Sequence, residues 1–374
     1  MCNRKTLTVI VILWVMFMRN IVNIFAVSFG YAAAVIGAGF ASGQEIVSFF
    51  VKYGRYSLFG ILIACLIFFA FSYAVLCSCK EYNIHSYDEL LTKFYGEGNI
   101  KKAIKIGIFI FSVCSMCVMT ACMGEICVLT TGVGRIVGSL LFSVLCLFVL
   151  VMDGRNVLKL NSILGGFIIF GIIFSCLYIL RFREHQTFSN NVRIAVSGIT
   201  YAGYNLLTSG AILAGMSEMI KNKRDAFLTS LVSVIILFVM MFFIWCVLST
   251  YYGKINLGEI PMLTMTYRQN NVLGIIYCIM LFLAVLTTGI SNGFGAVDIG
   301  GKYLGRKAAT LFSVFVSFCM SGAGFTMLID TLYRACGYIG MAVVFSFIYI
   351  FIKNMKKVKK ERKTKNNKIN SMKY

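Results

Sequence analysis

Residues 35–45 read Val-Ile-Gly-Ala-Gly-Phe-Ala-Ser-Gly-Gln-Glu inside a long apolar stretch. Glycine inside a membrane helix either marks an interruption or simply permits close packing, and Gly37 and Gly39 alone leave both readings open. An interruption within a membrane frees backbone groups that hydrocarbon cannot satisfy, and a ligand, ion, water or neighbouring side chain must do so. The N–H groups of Ala38, Gly39 and their neighbours would suit a carboxylate, and the carbonyls from Ala33 to Ile36 a cation. Further along, Ala284, Thr287 and Thr288 stand at i, i+3 and i+4. One helix face thereby carries two hydroxyls and a carbonyl, hard oxygen ligands for a monovalent cation. The simpler alternative is that each threonine hydroxyl bonds back to the carbonyl four residues earlier.

Acids in apolar surroundings are costly and mark function. Glu45, just past the break, and Glu125, within MTACMGEICVLTTG, are candidates for a proton relay or gate. No cation in the sequence is an evident partner for Glu125, which leaves either a protonated carboxyl or one solvated near the outer interface. Asp330 stands at a junction that water reaches and carries less weight. Catalytic chemistry has no comparable signal. His85 and His185 lie in polar connections, Cys114-Ser-Met-Cys117 falls in an apolar run without a second pair, and no His-Glu zinc motif occurs. The expectation is therefore no enzyme, no catalytic residue, no metal site and no cofactor.

The elements that would position these residues follow from composition. Of 374 residues 59% are hydrophobic and 13% charged, against roughly 25% charged in a soluble domain. Continuous apolar runs near the 20 or so residues of a spanning helix exclude a soluble protein, and their lack of alternation argues against a β-barrel. Ten core spans are predicted, at 21–52, 57–79, 103–131, 136–152, 157–180, 192–220, 226–252, 271–297, 307–329 and 331–352. A short surface helix is expected in the polar connection 80–102.

The net charge of +21 is unevenly spread: residues 353–374 hold ten Lys or Arg and one acid. A basic segment directly after an apolar helix reads as a cytoplasmic tail touching anionic lipid headgroups rather than nucleic acid. With the N-terminus inside, 26 of the 35 Lys and Arg fall in inside segments and 9 outside, which makes both termini cytoplasmic by the positive-inside rule. Residues 1–20 read as an extension: the apolar run from Thr6 to Met18 is too short to span, no signal-cleavage site follows, and translation starting at Met18 accounts for it most simply.

The first and sixth spans are the long, glycine-interrupted ones, the sixth carrying Gly203, Tyr204, Asn205 and Gly210 in its middle. Each opens a block of five spans, 21–181 and 192–352. An odd number of spans per block inverts the second, so the pattern predicts an inverted repeat with broken helices 1 and 6 and a binding site between them.

The run from Val35 to Glu45 resembles the first-helix signature of the YkvI-like bacterial membrane proteins, classed with amino-acid permeases of the amino acid–polyamine–organocation superfamily. The similarity extends to Tyr201-Ala-Gly-Tyr-Asn205, Pro261-Met-Leu, Thr287-Thr-Gly289 and Gly337-Tyr-Ile-Gly340. It implies an all-α, LeuT-like fold of ten transmembrane helices in a bacterial cytoplasmic membrane. It also matches Ala33, Ile36, Ala284, Thr287 and Thr288 to a sodium position, and Ala38-Gly39 to amides holding a substrate carboxylate. The expected substrate site comprises Gly37, Ala38, Gly39, Ser42, Tyr201, Tyr204 and Asn205. The expected function is symport of a small amino acid or related zwitterion with sodium or a proton; the alternative is a non-transporting receptor on the same fold. One departure stands out: Pro261 is the sole proline, and Gly165-Gly166 and Ala214-Gly215 occupy places where relatives carry prolines.

Overall fold

The computed structural model describes residues 4–152, 156–181 and 194–371, so residues 153–155 and 182–193 lie outside the described residues. The described chain is helical throughout. Its elements are α1 (Arg4–Val35), α2 (Ala38–Ala41), α3 (Gln44–Phe49), α4 (Ser57–Tyr82), α5 (Tyr87–Tyr95), α6 (Asn99–Thr131), α7 (Arg135–Val151), α8 (Asn156–Leu180), α9 (Ile194–Gly215), α10 (Lys223–Tyr251), α11 (Pro261–Gln269), α12 (Asn271–Leu304), α13 (Arg306–Ser321), α14 (Phe325–Leu328) and α15 (Arg334–Ser371). A π-helical turn, Ile329–Tyr333, joins α14 to α15. Residues 4–20 form no separate element, because α1 runs through them into the first span.

Among the described residues six helical segments are long and apolar enough to cross a membrane: Met18–Val35, Ser57–Tyr82, Asn99–Thr131, Lys223–Tyr251, Asn271–Leu304 and Phe325–Lys357. Arg135–Val151 and Leu164–Leu180 are apolar but shorter. Large apolar side chains face outward, Phe170 at 70% and Phe315 at 68% exposure. Such a surface is stable against lipid and unstable in water. The surface helix expected between the second and third spans is α5. Ser86 accepts the Glu89 N–H at 3.2 Å while Glu89 accepts the His85 N–H at 3.1 Å. That is the reciprocal pattern of a capping box, and the His85 N–H holds the exposed Glu89 carboxyl below its usual range.

The first span breaks where its glycines predict, between Val35 and Ala38 and again at Gly43, whose φ of 80° lies in the left-handed region. The sixth does not. Helix α9 runs unbroken through Gly203, Tyr204, Asn205 and Gly210, which overturns the expectation of a broken sixth helix. Its glycines serve close packing instead. A Cβ on Gly203 would meet the Met341 N at 2.8 Å, one on Gly337 the Thr200 carbonyl, and one on Gly340 the Gly203 carbonyl. A Cβ on Gly198 would strike the Gly60 carbonyl in the same way. Backbone thus lies against backbone where α9 crosses α15 and α4, the arrangement that small residues permit between membrane helices.

This packing predicts that Gly340→Ala, which forces α9 and α15 apart, lowers the melting temperature in detergent, consistent with an overpacking cost of about 1 to 3 kcal/mol. Gly166→Ala in α8, whose Cβ meets no atom within 4 Å, leaves the melting temperature unchanged or raises it. Equal losses in both variants would refute the packing role.

Candidate functional site

The break is held by side chains and amides from distant elements. Ser42 Oγ donates to the Gly39 carbonyl at 2.6 Å and accepts the Gln44 N–H at 3.1 Å. The Tyr277 hydroxyl of α12 donates to the Ala41 carbonyl at 2.5 Å, and the Met262 N–H of α11 donates to the Ser42 carbonyl at 2.9 Å. Pro261 begins α11, the position where a missing N–H is tolerated, and so starts the helix that delivers the Met262 amide. A side chain at Gly43 would collide with Leu248 and Met262, so the left-handed turn and the tight packing both require glycine there. At the end of α3, Ser197 Oγ donates to the Phe49 carbonyl at 2.5 Å and Arg334 to the Ser48 carbonyl at 2.7 Å. On the other flank, among the described residues, the Ala38, Gly39 and Phe40 N–H groups and the Ala33, Ala34 and Ile36 carbonyls have no hydrogen-bond partner.

Two compartments meet at this break. One is a cavity of about 1020 Å³. From α1 come Gly30, Ala33 and Ala34, small residues at i, i+3 and i+4 of one face, followed by Gly37 in the break. Helix α9 contributes Thr208 and Ser209, α6 Lys105 and Ser112, α12 Thr288, Ser291, Asn292, Asp298 and Lys302, and α5 Tyr87 and Asp88. The Ser209 hydroxyl is buried and lacks a hydrogen-bond partner. The cavity runs from the exposed end at Lys302 and Tyr303 to Gly37 and Thr288 at the break.

The second compartment is closed and aromatic. Glu45 is 4% exposed. Its Oε2 accepts the Tyr204 hydroxyl at 2.6 Å, and its other oxygen lies where a Cβ of Gly39 would stand. Tyr204 stacks on Tyr333 at 4.7 Å between ring centroids and on Tyr201 edge to face at 5.5 Å. Phe49 and Phe111 complete the lining. The Tyr333 hydroxyl pairs with Ser115 at 3.2 Å, and the Tyr201 hydroxyl is buried without a partner.

Charged groups gather at the two ends. Beyond the aromatic compartment Asp330 receives Lys52 at 2.8 Å and Arg334 at 3.3 Å, and Arg334 also donates to the Tyr53 hydroxyl at 3.0 Å. Close by in the same group of connections, Arg135 pairs with Glu125 and, at 3.3 Å, with Glu259. Glu125 therefore has a cationic partner, contrary to the sequence reading. Asp330, given less weight there, ties the break helix α3 to α15. At the cavity's mouth Lys101, buried, is held by Glu97 at 2.8 Å, Asp88 at 3.1 Å and Thr92 at 2.5 Å. Burial of a single charge is tolerated because three oxygens surround it. Lys105 also pairs with Asp88, and Lys223 meets Glu81 at 2.7 Å.

Sequence reasoning put seven substrate residues in one place, and the structure divides them. Gly37 lines the cavity; Ala38 and Ser42 are buried in the break, and Gly39 is covered by Glu45. Tyr201 and Tyr204 belong to the closed compartment, and the Asn205 amide donates to the Tyr201 carbonyl of its own helix at 3.0 Å. Of the five cation residues, Ala33 lines the cavity, while Ile36, Ala284 and Thr287 are buried. The Thr287 hydroxyl bonds back to Leu283 at 3.0 Å and Ala284 at 3.3 Å. Thr288 is the member that faces the break, with its Cγ2 3.5 Å from where a Gly37 Cβ would be. The sequence reading missed Thr208, Ser209, Ser112 and Asn292, polar residues whose common face becomes visible only once α6, α9 and α12 are placed around α1.

No protein-family model matches the chain. It is similar to the uncharacterized membrane protein YkvI of Bacillus subtilis (strain 168), 24% identical over 330 residues that cover 85% of this chain and 93% of that one. It is similar also to the uncharacterized protein YyaD of the same strain, 24% identical over 314 residues covering 82% and 91%. Among solved structures it resembles the inward-facing conformation of Mhp1, with a TM-score of 0.55 and 12% identity over 87% of this chain and 75% of that one. A mutant of the Eremococcus coleocola manganese transporter matches with a TM-score of 0.51 and 14% identity, covering 87% and 78%. At these identities the likeness establishes the fold. This is a multi-pass membrane protein with a fold found in transporters.

The two compartments predict opposite reactivity from nearby positions. On a background with native cysteines replaced, Thr208→Cys in the cavity reacts with a water-soluble thiol reagent added from the α5 side, whereas Ser115→Cys behind Tyr333 is protected from both sides. Rapid labelling of Ser115→Cys would show that the aromatic compartment is not closed.

Proposed function

We propose that this protein is a secondary active transporter that moves a small amino acid or related zwitterion by alternating access, coupled to a cation. The observation that carries this reading is a cavity that enters from one end and stops at a helix break, with the far side closed by Glu45, three tyrosines and the Lys52–Asp330–Arg334 cluster. A sealed outer half and an open inner half are what one state of an alternating-access cycle requires. Free amides and carbonyls at the break offer opposite ends of a zwitterion their natural partners.

In this reading the ten apolar segments cross the membrane as two inverted blocks of five, and the cavity's mouth, which carries the lysine-rich 80–105 and 302–307 connections, faces the cytoplasm of a bacterial cell with both termini. The basic tail after α15 lies against anionic headgroups. Cysteines placed near residue 256 label from outside intact cells and those near residue 92 do not. A position near 188, equally expected outside, lies outside the described residues.

The deciding experiment is thermal stabilisation of purified protein across an amino-acid panel, with and without sodium, followed by uptake into proteoliposomes. A ligand at a hundred times its Kd adds about 2.7 kcal/mol to the stability of the bound state, which a melting curve resolves. Absence of both stabilisation and uptake for every member would overturn the reading. If sodium is the coupling ion, it sits among Ala33, Ile36, Ala284, Thr287 and Thr288; replacing both threonines by alanine then removes sodium stimulation, while serine at either position preserves it.

A further inference from the structure

Glu45 is a buried carboxyl with one hydrogen-bond partner among the described residues, and that partner is a neutral hydroxyl. Neighbouring elements present it with Tyr201 and Tyr204 from α9 and Tyr333 from the π turn, none of them cationic at neutral pH. Cys65, Cys114 and Cys336 lie behind these rings. The nearest fixed cation on the outer side, Arg334, stacks over Phe49 with 5.3 Å to the ring centroid and spends its donors on Ser48, Tyr53 and Asp330. An ionised carboxylate so placed would be desolvated without compensation, a cost of several kcal/mol that a bound proton removes. Glu125 differs in that Arg135 is paired with it.

We infer that Glu45 is the proton carrier of this transporter, neutral in the conformation seen here, and that the protein couples uptake of a carboxylate-bearing substrate to a proton at this residue. The inference rests on the transport reading above and names its coupling ion. Glu45 lies directly against Gly39, two residues from Gly37 at the end of the cavity. A substrate carboxylate arriving at the break would therefore meet Glu45 at close range, and two carboxylates side by side cannot both be ionised at neutral pH. Proton and substrate must then bind together. Opening the Lys52–Asp330–Arg334 cluster would expose Glu45 to the outside and load the proton; release of the substrate through the cavity would let the proton follow. The Tyr204 hydroxyl, donating to Oε2, leaves the other oxygen to carry the proton and is a positioning residue in this scheme.

Two measurements test this, one without any substrate. Infrared spectroscopy of the purified protein at neutral pH should show a protonated-carboxyl C=O stretch that disappears in Glu45→Gln, a variant of the same size that still accepts the Tyr204 hydroxyl. If no such band is lost, Glu45 is ionised and the inference fails, whatever is transported. In the second, a mixture of the proteinogenic amino acids is the probe. Because the proton is required for binding, affinity should fall about tenfold per pH unit once pH exceeds the Glu45 titration, and Glu45→Gln should bind with a flat pH profile. In proteoliposomes carrying a pH dye, wild-type uptake should acidify the lumen, while Glu45→Gln should exchange substrate without moving protons. Sodium-driven uptake without acidification, or acidification that persists in Glu45→Gln, overturns the assignment and leaves the transporter reading intact. Failure of all uptake with the infrared band present would instead count against the transporter reading. Should Glu45→Gln misfold, Tyr204→Phe provides the second variant: it should fold and shift the pH at which affinity falls.

Discussion

Every backbone group freed by the interruption of the first helix must find a partner or a ligand, because neither lipid nor a dry protein interior supplies one. The molecule meets this constraint unequally on the two flanks. On the α3 side the carbonyls of Gly39, Ala41, Ser42, Ser48 and Phe49 are matched by Ser42, Tyr277, Met262, Arg334 and Ser197. Apart from Ser42 itself, these partners come from α12, α11, α15 and α9, so the short helices α2 and α3 are fastened to the second half of the chain. On the α1 side, the Ala38, Gly39 and Phe40 amides and the Ala33, Ala34 and Ile36 carbonyls remain unmatched, and Ala33 and Ala34 line the cavity. The polarity needed to bind a ligand is thus a by-product of a break that is only half repaired.

Charge distribution reinforces this division. Ion pairs sit at the two ends of the bundle, where water or headgroups can share the cost of each charge, and most polar groups between them are hydroxyls and amides. The exposed pairs among them contribute little stability each. Their position matters more than their number: Lys52, Asp330 and Arg334 connect the end of the broken helix to the start of the last one, and Asp88, Lys101 and Lys105 brace α5 against α6 at the mouth. Pairs of surface charges can exchange partners at small net cost, which suits contacts that must open. The aromatic layer behind Asp330 is different, since separating stacked rings in a dry compartment exposes large apolar area.

Glycine illustrates how one residue type does two jobs in the same chain. At Gly43 the backbone takes a left-handed turn, and a helix ends. At Gly203, Gly337 and Gly340 the backbone is ordinary α-helix, and the missing side chain lets two helices touch. Both uses produce a long apolar segment with glycine near its middle. The resemblance between the first and sixth spans is real as a pattern, yet only in the first does a serine-glycine pair, Ser42-Gly43, leave the helix, with Glu45 folded back against Gly39.

Hydropathy and glycine spacing by themselves determined that the chain is a multi-pass helical membrane protein, that the first span is interrupted around its glycines, and that a short surface helix lies in the polar connection 80–102. These are properties of neighbours along the chain: helix propensity, capping and the cost of charge in lipid act within a few residues. Tertiary structure alone decided that α9 stays whole, that Glu125 meets Arg135, that Tyr204 serves Glu45 rather than the cavity, and which side of the break is open. Tyr204 and Glu45 are 159 residues apart, and Tyr277 and Ala41 are 236 apart. Local pattern carries no information about which distant side chain completes a hydrogen bond, and in a membrane interior that completion settles whether a glycine bends a helix, whether an acid is charged, and where a ligand can bind.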